Sequence, residues 1–596
     1  MCGIAGFVDK RGRTSPEERQ KVITGMVDAI EHRGRDGTGV FVDERVALGN
    51  VRLAIIDASE RGAQPFFDDE RSLVLTYNGE LYNFRDINRT LTGAHRLKTE
   101  CDTETILYAF KDEGTKALTR FKGMFALSFL DRKKNTLTFA VDRFGIKPLY
   151  FFENDEWFAW GSEIKSFYSL PGFSPELRDD VLSEYLVFRN VAGSRTLLKG
   201  VTRLLPGQYA RFDLESGHLE RTTYWELSAR DERHSDEEYA GLLKEKLTKS
   251  VQEHLLSDVP LGVQLSGGVD SSLVVALASE TAQHLNSYSI GLEDEAWNEF
   301  RYSREIARGY GTKHHELSFT EDDFCRQLPS LTYMMDEPLA HSHSVPIHML
   351  AKEARKDVKV LLSGEGADEV FFGYRRYQKL YSGSSPTDIL FSNALSPIAS
   401  VEQVYTSFSR SAIEASDRAR LLQDLSSRGF DRVQQISAYD LATYLPPLLI
   451  RQDKMGMAAN LENRVPFLDH ELVEFGFSLP VHLKIDAKES KILLKRVAEE
   501  FLPHDLIYRK KCGFAQPLGA WLKNTTGLGR YLALVRTSAR DGIDQDAFAR
   551  MVSEHESGEK DHTDILWTIL VLELWLRVCV EREAPHAILE HLYKLN

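Results

Sequence analysis

VPLGVQLSGGVDSSLVVALASE, residues 259 to 280, decides the fold of the larger part of this chain. Val259 to Leu265 is a short apolar run of strand length, and Leu273 to Glu280 continues as a helix former. Between them stand Ser266, Gly267, Gly268, Val269, Asp270, Ser271 and Ser272. A strand that passes through two glycines into a helix start points backbone N–H groups and hydroxyls at one place, and such a place holds an anion, above all a phosphate. Glycine at 267 and 268 lets a ligand come close to the backbone. The lysine of the GxxxxGK[ST] loop, which serves a γ-phosphate, has no counterpart here. The stretch predicts a parallel α/β sheet with a nucleotide phosphate cradle at the carboxyl end of one strand.

The same texture extends downstream. Apolar runs such as SYSIGL (287 to 292) and VKVLLSG (358 to 364) alternate with long helical patterns, as parallel sheets require. The second run ends in Ser363, Gly364, Glu365, Asp368 and Glu369, carboxylates at a strand end that suit magnesium binding and proton transfer. From about Ser407 the chain reads mostly helical. Upstream, roughly the first 200 residues alternate apolar and polar positions with turn-formers between them, the pattern of an antiparallel β domain. Phe125, Leu127 and Phe129 share one face of GMFALSFLD, and Leu137, Phe139 and Val141 one face of TLTFAVD. The texture changes between residues 210 and 240, which divides the chain into domains of residues 1–215 and 235–596.

Length and composition set limits. At 596 residues the chain exceeds one hydrophobic core. Lys plus Arg number 74 against 89 Asp plus Glu, a net charge of -15, which offers no general basic surface to nucleic acid. The five cysteines are scattered and never form a CxxC pair, which argues against a disulfide framework or a structural zinc site. ILWTILVLELWL from Ile565 is broken by Glu573 short of the about 18 residues a membrane span needs. A reducing, cytoplasmic location without membrane attachment is expected.

The chain begins MCGIAGFVD. Loss of Met1, favoured by a small second residue, leaves Cys2 with a free α-amino group beside its thiol, so that nucleophile and base share one residue.

MCGIAG, HRGRDGTG (32 to 39), RLAIID (52 to 57), YNGELYN (77 to 83), TECDTE (99 to 104), SGGVDSS, SGEGADE (363 to 369) and ENRVPFLD (462 to 469) together resemble the glutamine-hydrolysing asparagine synthetase family, in order and through nearly the whole chain. The resemblance implies an α+β N-terminal-nucleophile αββα sandwich, the class II glutamine amidotransferase domain. An α/β adenine-nucleotide α-hydrolase-like parallel sheet with a helical C-terminal part, the synthetase domain, follows it. It implies that Cys2 attacks the glutamine amide while Asn78 and the N–H of Gly79 hold the oxyanion. Arg52, Leu53, Ala54, Ile55, Ile56, Glu80 and Asp102 then line the glutamine site. Ser266, Gly267, Gly268, Asp270, Ser271 and Ser272 are implied to cradle ATP, with Leu265, Ile290, Ser363 and Gly364 around its adenosine part.

Asp270 and Asp368 are the implied magnesium ligands, Glu365 assists adenylate formation and takes a proton from ammonia, and Lys491 neutralises pyrophosphate. Aspartate is the expected acceptor, another carboxylate the alternative, and a homodimer is allowed. The chain departs from the family pattern at Arg35, Cys101, Asn298, Phe372 and His341 to His343. The last stretch is expected near the acceptor, where a protonated histidine pair can bind a carboxylate.

Overall fold

The computed structural model describes residues 2–91, 93–229, 233–294, 297–381, 383, 385–509, 516–538 and 540–594. Met1 and Cys512 lie outside them. Two six-stranded sheets, each antiparallel throughout, build the first domain. With strands numbered along the chain, the first contains β1 (Cys2–Asp9), β2 (Gly37–Val42), β3 (Val46–Arg52), β8 (Tyr150–Glu153), β9 (Trp157–Gly161) and β10 (Val201–Arg203), in the order β10-β8-β9-β1-β3-β2. The second contains β4 (Phe66–Phe67), β5 (Leu73–Leu81), β6 (Gly123–Asp131), β7 (Thr136–Val141), β11 (Gln208–Asp213) and β12 (Leu219–Thr223), in the order β12-β11-β7-β6-β5-β4.

Between the sheets lies a dry core that includes Ile4, Leu48, Ala126, Leu137, Phe139 and Trp160, with the Phe139 and Trp160 rings 5.0 Å apart. Helices cover both outer faces. Pro16–Asp28 packs Val22, Ile23, Met26 and Val27 against the first sheet. It starts where Ser15 and Glu18 form a capping box and Pro16 opens the first turn. Phe84–Leu91 and Asp102–Glu113 cover the second sheet. Phe125, Leu127 and Phe129 do share one face, turned toward these helices, while Ala126 and Leu130 enter the inter-sheet core, so β6 is buried on both sides. Sheet pairing continues to Thr223, so the first domain runs past the expected limit at residue 215.

The second domain contains a parallel sheet of β13 (Leu261–Gln264), β14 (Asn286–Leu292), β15 (Lys313–Phe319), β16 (Val360–Leu362) and β17 (Glu462–Arg464), in the order β15-β14-β13-β16-β17. The order reverses between β13 and β16, and ligands of such sheets bind at the carboxyl ends of the strands beside that point. The SGGVDSS loop follows β13 and the SGEGADE loop follows β16, so topology alone brings them together. β17 is a three-residue strand inside the mostly helical part: ENR reads as polar, yet its charges are buried and paired, with Arg464 Nε 2.5 Å from Glu462 Oε1.

The remaining C-terminal part is helical, and the helix Thr563–Trp575 is buried from Ile565 onward. Glu573, which breaks the apolar run, is itself buried against Arg540 and Arg577. No helix among the described residues is long and apolar enough to cross a membrane.

Lys484 offers a test of this packing. Its ammonium is buried and donates to the carbonyl of Phe477 at 2.7 Å, and burial pushes its pKa down to about 7, with Asp431 opposing weakly. The unfolded chain therefore binds more protons than the folded one between about pH 7 and the ordinary lysine value, and stability rises with pH across that window. Lys484→Met is expected to raise Tm most at about pH 6, with the advantage shrinking toward about pH 10; thermal melts across pH check it.

Candidate active sites

Cys2 begins β1 and pairs with Arg52 at the end of β3. Cys2 is buried, with its N–H donating to Asn78 Oδ1 at 3.1 Å and its carbonyl accepting from Arg33 Nε at 3.2 Å. Burial pushes the thiol pKa up; the N–H of Leu53, the charge of Arg52 and the side chain of Asn50 pull it back. Asn78 is fully buried, and while its Oδ1 holds Cys2, its Nδ2 has no partner. An orphan donor at such a place is costly unless a ligand completes it.

Gly79 follows on β5. The N–H groups of Tyr77 and Leu81 are taken by Gln64 Oε1 at 2.6 Å and Asp102 Oδ2 at 3.0 Å, on the side of β5 away from β6. Strand alternation puts the Gly79 N–H on that same side, between them. A Cβ at 79 would collide with the backbone of Met124 and Phe125, which is why glycine stands there.

Arg52 is held by three carbonyls, those of Ser59 at 2.8 Å, Asp57 at 2.6 Å and Ile56 at 3.4 Å, leaving two of its five N–H donors. Leu53 to Ile56 form the buried wall behind it; Ala54 N–H is committed to Asp36 Oδ2 and the Ile55 carbonyl to Asp258 N–H across the domain boundary. Asp102 is buried, and burial raises its pKa against the bonds from Leu81 N–H and Tyr77 OH. Glu80 is raised further by burial and by Glu462, with Arg464 3.7 Å away. Two buried carboxyls held high favour a ligand that brings its own ammonium. Cys101, at the start of the helix that carries Asp102, is buried and donates to Thr103 Oγ1 at 3.3 Å.

The second site is a cleft of about 710 Å³ at the carboxyl ends of β13 and β16. Ser266, Gly268, Asp270 and Ser271 line it from one loop, Ser363, Gly364, Glu365 and Asp368 from the other. Gly267 takes φ +72, a conformation suited to glycine, and its carbonyl accepts from Arg509 Nη2 at 2.9 Å. Ser272 is instead fully buried beneath the loop and does not line the cleft. Leu265 and Ile290 line an apolar slot beside the cleft, shared with Phe300 and Phe319.

Lys491 Nζ lies 2.6 Å from Asp270 Oδ1 and 2.6 Å from Asp368 Oδ1. Two carboxylates thus converge on one cation position, a hard-oxygen donor pair of the kind magnesium takes when phosphate oxygens and water complete it. Among the described residues no three His, Cys, Asp or Glu side chains form a closed metal cage. Gly373 makes room, since a Cβ there would overlap Asp368 and Lys491. Phe372 before it adopts φ +62 and buries its ring 4.8 Å from that of Tyr377, so the departure from glycine is stabilised by packing.

Glu365 Oε2 is 2.9 Å from Arg451 Nη2. Glu369 is buried, its pKa pushed up to about 8 by burial and by Asp368 and Glu365, and it accepts from Tyr374 OH at 2.6 Å. His341 and His343 line the same cleft. Burial and then the nearby Arg451 hold His341 well below the ordinary histidine value, which disfavours a charge on that member of the pair. Arg451 is the cation at that place. Neither it nor Arg33, Asp453 and Arg509 was assigned a role from sequence; the signal for Arg451 and Asp453 is charge within the segment RQDKMGMAAN, and Arg33 lies inside the HRGRDGTG stretch.

Sandwich, parallel sheet and both sites define a two-domain enzyme: an amidotransferase half joined to an ATP-dependent carbon–nitrogen ligase half. Residues 242–577 match the asparagine synthase family model and residues 1–225 the glutamine amidotransferase domain model, and the chain belongs to the asparagine synthase family. It is 29% identical to "Asparagine synthetase [glutamine-hydrolyzing] 1" of Bacillus subtilis, covering 99% of each chain. It is 32% identical to a "Putative asparagine synthetase [glutamine-hydrolyzing]" of Mycobacterium tuberculosis, covering 100% of each.

Proposed function

We propose that the enzyme amidates aspartate, using ammonia released from glutamine at Cys2 and ATP bound in the second cleft. The observation that carries the first half is Asn78, whose oxygen fixes Cys2 while its free amide N–H is left for an oxyanion. After loss of Met1 the α-amino group of Cys2 takes the thiol proton and the sulfur attacks the amide carbon. Asn78 Nδ2 and Gly79 N–H hold the oxyanion, the α-ammonium group returns its proton to the leaving nitrogen as ammonia departs, and water then releases glutamate from the thioester and restores the thiol. Arg52 grips the glutamine carboxylate and Asp102 and Glu80 its ammonium.

In the second cleft an oxygen of the acceptor carboxylate attacks the α-phosphorus and pyrophosphate leaves. Magnesium at Asp270 and Asp368 would neutralise charge on the phosphates. Lys491, already placed between those aspartates, follows the leaving group. Ammonia then attacks the acyl-adenylate, Glu365 accepts its proton, and AMP departs with formation of asparagine.

Asn78→Ala is expected to lower glutaminase kcat by about 10²–10³ while ammonium-dependent synthesis continues, since one oxyanion donor is commonly worth that much. Glutamate release and amide formation from ammonium salts check it. For the acceptor, aspartate with ATP and magnesium should release pyrophosphate well above the acceptor-free rate. Pyrophosphate release with another carboxylic acid and none with aspartate would leave the ligase class standing and remove aspartate.

A further inference from the structure

Arg33 is fully buried and makes three bonds in three directions: Nε to the carbonyl of Cys2 at 3.2 Å, Nη1 to Glu163 Oε1 at 2.8 Å, and Nη2 to Asp453 Oδ2 at 2.8 Å. Glu163 belongs to the same domain. Asp453 does not: it stands on the helix Leu445–Ala458 of the second domain, and its other oxygen accepts from Lys147 of the first at 3.0 Å. Two residues earlier on that helix, Arg451 holds Glu365 in the ATP cleft. At about 100° per residue these two side chains leave the helix on nearly opposite sides, one toward each site.

We propose that Asp453 is a positioning residue for the glutaminase reaction, supplied by the synthetase domain, which keeps Arg33 seated on the carbonyl of Cys2. This rests on the reading of Cys2 as the nucleophile. Once Met1 is removed, Cys2 is tethered covalently on one side only, and its own backbone groups are held by two bonds, from its nitrogen to Asn78 and from Arg33 to its carbonyl, while Leu53 N–H and Asn50 face the thiol. A guanidinium stripped of water holds its angle only while carboxylates fix its fork. With Asp453 neutralised, Arg33 can turn toward Glu163 alone and leave Cys2. The acceptor cleft does not use Asp453, so the two half-reactions respond differently.

The test uses the full chain with Asp453→Asn and with Asp453→Asn combined with Lys147→Met. The double variant removes one charge of each sign and keeps the buried site balanced if the single variant does not fold. Glutamate formation and ammonium-dependent pyrophosphate release are measured for each, with Cys2→Ala in parallel. Glutaminase kcat is expected to fall about 10- to 100-fold, the scale of a misplaced reacting group. KM for glutamine should stay within about threefold, because Arg52 and Asp102 are untouched, and ammonium-dependent turnover within about twofold. Glutaminase kcat within about twofold of the parent in the folded variants overturns the proposal, as does an equal loss of both half-reactions. Glutamine hydrolysis surviving in Cys2→Ala instead overturns the reading of the nucleophile.

Discussion

Cys2→Ala is expected to abolish glutamine hydrolysis and glutamine-dependent amidation, and to leave amide synthesis from ammonium salts close to the parent rate. The thiol is the group that forms a bond to glutamine in this account, and Cys2 is not among the residues lining the second cleft. A loss of the nucleophile removes the thioester route altogether, typically about 10⁴-fold or more for residues that act as a unit. Amide formation measured with each nitrogen donor separates the half-reactions. Retained glutamine-dependent activity contradicts the assignment. The same chemistry requires Met1 to be absent, so the intact mass should correspond to a chain beginning at Cys2.

The second large effect is at the other end. Asp270→Asn and Asp368→Asn should each reduce acceptor-dependent pyrophosphate release by about 10³-fold or more, while glutaminase turnover persists. Both carboxylates converge on the same cation position, now held by Lys491 Nζ, so neutralising either unbalances the place where the phosphate charge develops. Several kcal/mol of charge stabilisation corresponds to that factor. Unchanged pyrophosphate release in both variants would remove the metal assignment, and equal loss of glutaminase activity would indicate general disruption.

The strand–loop–helix of SGGVDSS was legible because every part of it is local: strand, glycines and helix start follow one another, and the parallel sheet places them beside the SGEGADE loop. Cys2 was legible because its chemistry depends on its place in the chain. Arg451 and Asp453 were not, since their partners lie far away in sequence, Glu365 86 residues off and Arg33 420 residues off. Glu462–Arg464 hid as a strand because its burial is satisfied by charge pairing and by the carbonyls of His254 and Leu256 rather than by apolar side chains. Ser272 sits apart from the other residues of the motif, because the helix buries its hydroxyl. His341 also read differently from sequence, because its pKa is lowered first by burial and then by an arginine from a distant helix.

The central claim is that nitrogen released at Cys2 is consumed in the ATP cleft of the same chain. Glutamine labelled with ¹⁵N in its amide, supplied with ATP, magnesium, aspartate and a pool of unlabelled ammonium, tests it directly by NMR of the product. The account predicts ¹⁵N in the amide of newly formed asparagine, with glutamate and pyrophosphate appearing in about equal amounts. Glutamate production with no labelled amide and no aspartate-dependent pyrophosphate would contradict it.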